Sequence, residues 1–368
     1  MRILITGSRG FVGKNLAIRL SELGRFELLR FDRGDSLEQL KAQVGQADAI
    51  VHLAGANRPA HEGEFESVNS GLTESICAML NDKPTKTLLI LASSIQAEQQ
   101  NPYGQSKLAA EATVARLADQ TAHAAVIYRF PNVFGKWCKP NYNSVVATFC
   151  HHIARDSSIT IDDPAKLLTL VYIDDVVNEI IHSLDHVSSG LQRHTVAPVY
   201  STTVGELAAQ LGAFQRSRCD LITARVGTGL VRALYATYLS YLPTGAFAYD
   251  LSLHGDSRGV FVEMIKTPDC GQVSYFTAHP GITRGSHYHH TKTEKFLVVK
   301  GSARFGFRHV ITNEICEVMT SGNLPRIVES VPGWTHDITN VGIDEMVVML
   351  WANEIFDRQL PDTIACKV

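Results

Sequence analysis

Two stretches of this sequence combine residue types that could do chemistry. The first, GSHYHHTKTEKF, lies in the last third of the chain and carries three histidines followed by a glutamate. On a β-strand, residues two apart point to the same side, so His287 and His289 face one way and His290 the other. Divalent transition metals favour nitrogen and oxygen ligands of these types. The candidate metal ligands are His287, His289, Glu294 and the more distant His336.

The second stretch, TGSRGFVG, lies near the N-terminus between an apolar run and a helical pattern. Gly7, Gly10 and Gly13 would let the backbone approach a pyrophosphate, whose charge the N-terminus of the helix could face. Further along, YGQSK places Tyr103 and Lys107 four residues apart, which puts both side chains on one face of a helix. The pattern indicates a dinucleotide site beside a tyrosine–lysine pair.

Such a pair suits the reduction of a ketone. Hydride transfer from a nicotinamide to a carbonyl carbon leaves an alkoxide that needs a proton, which Tyr103 would supply. The charge of Lys107 would lower the pKa of the tyrosine. The apolar run LLILASS ends in Ser93 and Ser94, where a doubly wound sheet opens its ligand crevice, and either serine could donate to the carbonyl oxygen.

Two different architectures must position these residues. From residue 1 to about 185, apolar runs such as RILITG and TLLILASS alternate with amphipathic segments, which predicts a doubly wound α/β domain with a parallel sheet. Thr203 to Phe214 and Leu230 to Leu242 are predicted helices. Further on, short runs such as GQVSYFTA and DEMVVMLWA alternate with turn residues, which predicts an antiparallel all-β sandwich or barrel. The expected domains are 1–246 and 247–368.

Composition excludes several classes of partner. The formal net charge is −3 with both signs spread along the chain, so no basic field would hold a nucleic acid or an anionic membrane. Apolar runs such as TLLILA are far shorter than the roughly 20 residues of a membrane span, and MRILITG has no signal-peptide pattern. The seven cysteines contain no C-x-x-C pair, which fits reduced thiols. We therefore expect a cytoplasmic protein.

The N-terminal motifs resemble those of the extended short-chain dehydrogenase/reductase family over about residues 1–240, including HLAG, RFPNVFG and YIDDVV. The resemblance implies a Rossmann fold whose catalytic residues are Tyr103, Lys107 and Ser94. It also implies that the lysine holds the nicotinamide ribose and that Asn132, with Ser94, lies on the nucleotide-sugar side of the crevice. The implied cofactor-binding residues are Gly7, Arg9, Gly10, Phe11, Val12, Gly13, Arg33, Leu53, Ala54, Tyr103 and Lys107.

The second predicted strand ends in RFDRG, where the choice between NAD and NADP is normally made. Asp32 would accept hydrogen bonds from a ribose 2′-hydroxyl, whereas Arg33 and Arg9 would attract a 2′-phosphate. We expect NADPH, because two arginines near one phosphate outweigh an aspartate that can rotate away.

The C-terminal motifs resemble the cupin family, with GSHYHHTKTEKFLVVKG matching its first motif and PGWTHDITN its second. The resemblance implies a metal-binding barrel, and because cupin barrels commonly pair, it favours a homodimer. Zinc is the expected metal because an epimerisation at this site would need no redox chemistry. Iron, manganese and nickel stay open as alternatives. The run from Asp256 to Lys266, which includes Arg258, resembles sugar-pocket segments of deoxysugar-nucleotide cupins.

The two-domain arrangement as a whole resembles the CapF-type bifunctional enzymes of capsule and O-antigen sugar assembly. The resemblance implies C3 epimerisation of a UDP-2-acetamido-2,6-dideoxy-4-hexulose in the cupin domain, followed by NADPH-dependent C4 reduction in the N-terminal domain. The implied product is UDP-2-acetamido-2,6-dideoxy-L-talose, on the path to UDP-N-acetyl-L-fucosamine. Epimerisation must come first, because the C3 proton is acidic only while C4 is a ketone.

Other interpretations stay open at this point. The reductase could be the only enzyme, with the cupin as a metal-stabilised dimerisation module. The chain could also be a cofactor-sensing binding protein without catalysis, although the presence of the full catalytic set speaks against this. The candidate bases for epimerisation are His290, Tyr288, Lys295 and Lys266.

Overall fold

The computed structural model describes residues 1–57, 65–186, 189–252, 254–256, 259–261, 264–267, 271–354, 357 and 359–368. The chain forms two compact units, Met1–Ser144 with Leu168–Thr202 and Val145–Leu167 with Thr203–Val368. The boundary expected at residue 246 therefore lies inside the second unit. None of the helices described is both long and apolar enough to cross a membrane.

A parallel six-stranded sheet forms the centre of the first unit, in the order β2-β1-β3-β4-β5-β8. Ile3, Leu4 and Ile5 of the first strand are fully buried, as continuous apolar runs require when helices cover both faces. The strands are β1 (Arg2–Thr6), β2 (Glu27–Phe31), β3 (Ala49–His52), β4 (Leu88–Ser94), β5 (Ala124–Phe130) and β8 (Leu191–His194). A three-stranded sheet consists of β6 (Asn132–Phe134), β7 (Leu167–Tyr172) and β9 (Val199–Thr203).

The helices of the first unit begin where the sequence supplies capping groups. Ser36 caps α2 in a capping box with Gln39, and Asn101 caps α4 by accepting from the backbone N–H of Gly104 at 2.7 Å. The cap at Asn101 fixes the start of the helix that carries Tyr103. These helices are α1 (Phe11–Leu23), α2 (Leu37–Gln46), α3 (Leu72–Asn81), α4 (Pro102–Gln120) and α6 (Ile173–Asp185).

Two five-stranded antiparallel sheets form most of the second unit. Their orders are β10-β18-β15-β20-β13 and β17-β16-β19-β14-β21. The strands are β10 (Ala248–Asp250), β13 (Gln272–Ala278), β14 (Thr283–Tyr288), β15 (Glu294–Lys300), β16 (Ser302–His309), β17 (Ile315–Ser321), β18 (Arg326–Glu329), β19 (Trp334–Asn340), β20 (Met346–Ala352) and β21 (Ile364–Ala365). A separate hairpin joins β11 (His254–Asp256) and β12 (Gly259–Phe261).

The α-helices in the described part of the second unit are α5 (Val145–Ile153), α7 (Val204–Asp220) and α8 (Gly229–Leu239). Arg218 on α7 forms an ion pair with the fully buried Glu329 on β18. This pair fastens α7 to the first of the antiparallel sheets. The predicted order of a doubly wound α/β part followed by an antiparallel β part is confirmed.

Candidate active site and metal centre

The glycine loop between β1 and α1 has the close backbone packing that a dinucleotide site requires. Gly7 has a φ of +71°, and a Cβ there would lie 2.9 Å from the backbone nitrogen of Ala54. A Cβ on Gly13 would lie 2.2 Å from the carbonyl oxygen of Gly7. Gly10 is the N-cap of α1 and supplies no side-chain cap, so the first N–H groups of the helix can serve a phosphate. Phe11 and Val12 form the first turn of α1 and Leu53 precedes Ala54, so these four predicted positions adjoin the loop.

Asp32, at the end of β2, is held by the glycine loop. Its carboxylate accepts hydrogen bonds from the hydroxyl of Ser8 at 2.6 Å and from the backbone N–H of Arg9 at 2.8 Å. The Arg9 side chain is 85% exposed, with its Nε 3.7 Å from the aspartate, and Arg33 is exposed. Two arginines therefore stand at the surface beside a carboxylate whose oxygens are already engaged.

Tyr103, Lys107 and Ser94 are brought together by the start of α4 and the end of β4. The Lys107 nitrogen lies 5.9 Å from the centre of the Tyr103 ring and donates to the carbonyl oxygen of Ala92 at 3.2 Å. Ser94 accepts from the backbone N–H of Gln96 at 3.1 Å, and its hydroxyl lies close enough to the Tyr103 phenol to lower the pKa of that group. The three predicted catalytic residues thus lie at the carboxyl end of a parallel strand, where a ligand crevice is expected.

The pKa values of Tyr103 and Lys107 differ from the expectation. Burial raises the pKa of Tyr103, and the Ser94 hydroxyl only partly opposes the effect. Burial also lowers the pKa of Lys107 to about 8, while Glu111 acts in the opposite direction. Desolvation dominates the pKa of Tyr103, and Lys107 does not contribute the expected lowering of that pKa. A phenol that stays protonated at neutral pH is the form that a proton donor needs.

The alternative serine has a different partner. Ser93 donates its hydroxyl hydrogen to the buried carboxylate of Glu111. The same carboxylate accepts from Arg129 through two nitrogens, with the shortest distance 2.7 Å. Ser93 belongs to this buried ion-pair network, whereas Ser94 contacts the tyrosine. The geometry therefore favours Ser94 over Ser93 as the residue that would face a substrate carbonyl.

The remaining predicted residues of this unit lie around the same strand ends. The Asn132 side chain is exposed and donates to the carbonyl oxygen of Thr169 at 3.0 Å. The buried His52 connects Thr6, at 2.6 Å, with Thr73, at 3.0 Å, and burial lowers its pKa to about 3. A neutral His52 links the end of β1 to α3 by hydrogen bonds and so helps to fix the point where the glycine loop begins.

The four predicted metal ligands lie together in the second unit. One nitrogen or oxygen atom from each of the four residues lies within 4.8 Å of the corresponding atom of every other. His287 on β14 pairs directly with His336 on β19, while His289 follows β14 and Glu294 begins β15. The pairing of β14 with β19 shifts register between Gly285 and His287, and this shift brings His287 opposite His336. Both antiparallel sheets therefore contribute ligands.

The spacing of the cluster suits a single bound metal ion. Ligand bonds of about 2.0–2.1 Å at tetrahedral angles would place neighbouring ligand atoms about 3.3 Å apart. The oxygen of Glu294 lies 3.0 Å from Nε2 of His289 and 3.5 Å from Nε2 of His336. Three nitrogens and one carboxylate oxygen suit zinc and other divalent transition metals alike.

Three of the four candidate ligands have pKa values shifted in the direction that favours metal binding. Burial, aided by the neighbouring histidines, lowers the pKa of His287 to about 4, and burial lowers the pKa of His336 as well. Burial would raise the pKa of Glu294, but His289 and His336 hold it well below its ordinary value. Neutral imidazoles beside an ionised carboxylate are the ligand forms that bind cations.

Of the candidate bases for epimerisation, Lys295 has a different role. Its ammonium forms an ion pair with the buried Glu329 and donates to the Tyr249 hydroxyl at 3.0 Å. Burial opposes the charge, but Glu329 and the neighbouring tyrosines raise the pKa of Lys295 well above its usual value, so it remains a cation. A lysine held in this way cannot accept a proton. The Lys266 side chain is exposed, and Arg258 lies outside the described residues.

Family models match both parts of the chain. The NAD dependent epimerase/dehydratase family matches residues 3–197, and the polysaccharide biosynthesis C-terminal domain matches residues 254–364. A Pseudomonas aeruginosa protein named UDP-2-acetamido-2,6-beta-L-arabino-hexul-4-ose reductase is 54% identical, over 100% of this chain and 99% of its own length. The chain belongs to the NAD dependent epimerase/dehydratase family.

Solved structures match the whole two-part architecture. The capsular polysaccharide assembling protein CapF from Staphylococcus aureus is 43% identical, with a TM-score of 0.67 and full coverage of both chains. The expected CapF-type organisation is thereby confirmed. RMD from Pseudomonas aeruginosa, solved with NADPH, is 22% identical with a TM-score of 0.51 over 59% of this chain and 85% of that one, so it shows the fold alone.

Residues outside the two cupin-like sequence motifs hold the candidate metal ligands in place. Ser330 accepts from the backbone N–H of Glu294 at 2.8 Å, and Asn353 accepts from that of Thr293 at 2.9 Å. Asp362 contacts the loop that follows His289. These residues lie 36 to 72 positions away in sequence from the groups they bind, so no local spacing could have found them.

Proposed function

We propose that this protein is a bifunctional nucleotide-sugar enzyme. Its second unit would epimerise C3 of a UDP-2-acetamido-2,6-dideoxy-4-hexulose, and its first unit would then reduce the C4 ketone with NADPH. The product would be UDP-2-acetamido-2,6-dideoxy-L-talose, on the path to UDP-N-acetyl-L-fucosamine in capsule or O-antigen synthesis. The observation that carries the proposal is the contact of Tyr103 with Ser94 beside Lys107, in a chain similar over its full length to a 4-hexulose reductase.

For the reduction, the residues of the first unit provide binding and a proton. A bound nicotinamide would supply the hydride. Ser94 would donate to the C4 carbonyl oxygen and hold it near the phenol of Tyr103. The phenol is protonated at neutral pH because the ordinary tyrosine pKa is about 10, and burial raises the pKa of Tyr103 further. As negative charge develops on that oxygen, the phenol would transfer its proton. Lys107, close to the tyrosine ring, would stabilise the phenolate that remains.

NADPH is the proposed cofactor because of the loop around Asp32. Ser8 and the Arg9 backbone already occupy about half of the acceptor sites of this carboxylate, which leaves fewer for a ribose hydroxyl. Arg9 and Arg33 are exposed next to it and would face a 2′-phosphate.

For the epimerisation, the proposal rests on the acidity of the proton at C3 while C4 is a ketone. His287, His289, Glu294 and His336 would hold a divalent metal, with zinc as first choice. A Lewis acid in that position would stabilise an enolate at the carbonyl oxygen. A base of the second unit, for which His290, Tyr288 and Lys266 remain the candidates, would take the C3 proton. A proton donor on the opposite face would then return a proton to C3 and invert it, and reduction would fix the result.

An exposed apolar strip favours a homodimer and supports a second candidate function. Val273, Tyr275 and Val299 on β13 and β15 are 56%, 73% and 48% exposed, and with Val347 and Met349 they line one shallow pocket. Contiguous exposed apolar side chains of this kind mark protein interfaces. In the second candidate function, the reductase is the only enzyme and the metal-stabilised second unit serves dimerisation.

Reciprocal variants of the full chain would distinguish the two functions. Tyr103→Phe should lower substrate-dependent NADPH oxidation about 10²–10⁴-fold, since a general acid is lost, while C3 proton exchange continues. Glu294→Gln should abolish C3 exchange, yet still reduce a substrate that already carries the inverted C3. Normal C3 exchange by Glu294→Gln would remove the metal centre from the reaction.

A further inference from the structure

The C-terminal tail builds part of the wall around the candidate metal centre. Strand β21 pairs antiparallel with β14, so that Ala365 lies opposite His287 and Ile364 opposite Tyr288. The backbone N–H of Cys366 donates to the carbonyl oxygen of Ser286 at 2.9 Å. The last residues of the chain therefore form the strand next to a metal ligand.

Asp362, just before this strand, binds the loop between the metal candidates His289 and Glu294. One carboxylate oxygen accepts from the backbone N–H of His290 at 2.9 Å. The other accepts from the backbone N–H groups of Thr291 and Lys292 at 2.7 and 2.8 Å, and from the Thr291 hydroxyl at 3.2 Å. Three successive backbone N–H groups thus point at a single carboxylate. Hydrogen bonds to an ionised acceptor are roughly twice as strong as those between neutral groups.

The same residue also reaches a metal candidate directly. Its backbone carbonyl oxygen is hydrogen-bonded to Nδ1 of His289. A carbonyl can only accept, so Nδ1 carries a proton, which leaves Nε2 as the ring nitrogen that could bind a metal. Nε2 is the atom that lies 3.0 Å from Glu294 inside the cluster. Asp362 therefore sets both the path of the loop and the tautomer of the ring.

We propose that Asp362 is a positioning residue for the metal centre, which orders the loop from His290 to Lys292 and holds His289 with Nε2 directed into the cluster. The inference rests on the metal centre of the proposed function. It extends that function by making the C-terminal tail a part of the site. Outer residues that orient metal ligands typically contribute 10- to 100-fold in metal affinity.

The test uses zinc affinity measured by competition with a chromophoric chelator on the full-length protein. Asp362→Ala should weaken zinc binding about 10- to 100-fold. Asp362→Asn, which keeps one acceptor oxygen, should give an intermediate loss. The matched control is Asp344→Asn, the same chemical change on an exposed turn of the same unit. It should leave zinc affinity unchanged.

Two further readouts separate positioning from general loss of structure. The visible absorption of the cobalt-substituted protein should change in both Asp362 variants but not in the control, because the orientation of a ligand ring changes. Without metal, hydrogen exchange at the amides of His290, Thr291 and Lys292 should become faster in Asp362→Ala. Variants that match the wild-type protein in zinc affinity, cobalt spectrum and amide exchange would overturn the inference. A wild-type protein that binds no zinc or cobalt would overturn the metal centre itself, and the inference with it.

Discussion

The adjacent serines at the end of β4 allow a sharp test at the scale of single residues. Ser94→Ala should lower the kcat of ketone reduction about 100-fold or more, because a hydrogen bond to the developing oxyanion is lost. Ser93→Ala should keep most of the activity and instead lower the melting temperature, since Glu111 loses a buried donor. Steady-state kinetics and thermal melting of both variants measure the two effects. A larger kcat loss in Ser93→Ala would reverse the assignment.

Lys107 makes the reductase dependent on pH. Burial lowers its pKa to about 8, so the side chain is a cation below that pH and neutral above it. The cation is the form that stabilises a phenolate, so kcat/KM for reduction should fall about tenfold per pH unit above pH 8. The measurement is a pH profile at limiting substrate. A plateau that extends to the ordinary lysine pKa of about 10.4 would show that the charge of Lys107 is not titrating there.

At the scale of elements, the glycine loop depends on the closeness of two backbone segments. In Gly13→Ala, the new methyl would lie 2.2 Å from the carbonyl oxygen of Gly7, so the start of α1 must shift. We expect NADPH affinity to fall at least 10-fold and the melting temperature to drop. The control is Gly45→Ala on exposed α2, where a Cβ meets nothing within 4 Å. That change should stabilise the protein by about 1 kcal/mol. Titration of NADPH by fluorescence measures the first effect, and unchanged affinity in Gly13→Ala would contradict it.

The elements themselves were largely predictable from sequence, because strand and helix periods differ. RILITG and LLILASS became β1 and β4, and GQVSYFTA and DEMVVMLWA became β13 and β20. The predicted helix from Leu230 to Leu242 is α8, Gly229–Leu239. It was harder to predict from sequence which of the two units α7 and α8 pack against. That choice depends on contacts such as the ion pair between Arg218 and Glu329, which are 111 residues apart.

In the candidate sites as well, residues within a local motif were predictable from sequence, whereas roles that depend on distant contacts were not. Residues close in sequence, such as Tyr103 and Lys107, were found by their spacing, and the distant His336 was found through its own motif. The choice between Ser93 and Ser94 could not be made from sequence, because it depends on the hydrogen bond to Glu111. Asp362 had no local signal, because its role exists only when the tail pairs with β14.

At the scale of the whole molecule, the chemistry explains why one chain would carry two sites. The C3 proton is acidic only while C4 is a ketone, so epimerisation has to precede reduction. A chain that performs both steps converts a reactive ketone into a stable alcohol. The first unit matches the epimerase/dehydratase family, and the antiparallel unit carries a cluster of three histidines and one glutamate.

The central claim is that both sites act in turn on one carbonyl. The decisive measurement incubates the full-length protein with the 4-keto nucleotide sugar in D₂O without NADPH, follows C3 by NMR, and then adds NADPH. The account predicts deuterium at C3 before NADPH is present, and afterwards a C4 alcohol with inverted C3 that retains the label. Reduction without deuterium at C3 would contradict it and favour the single-activity reductase.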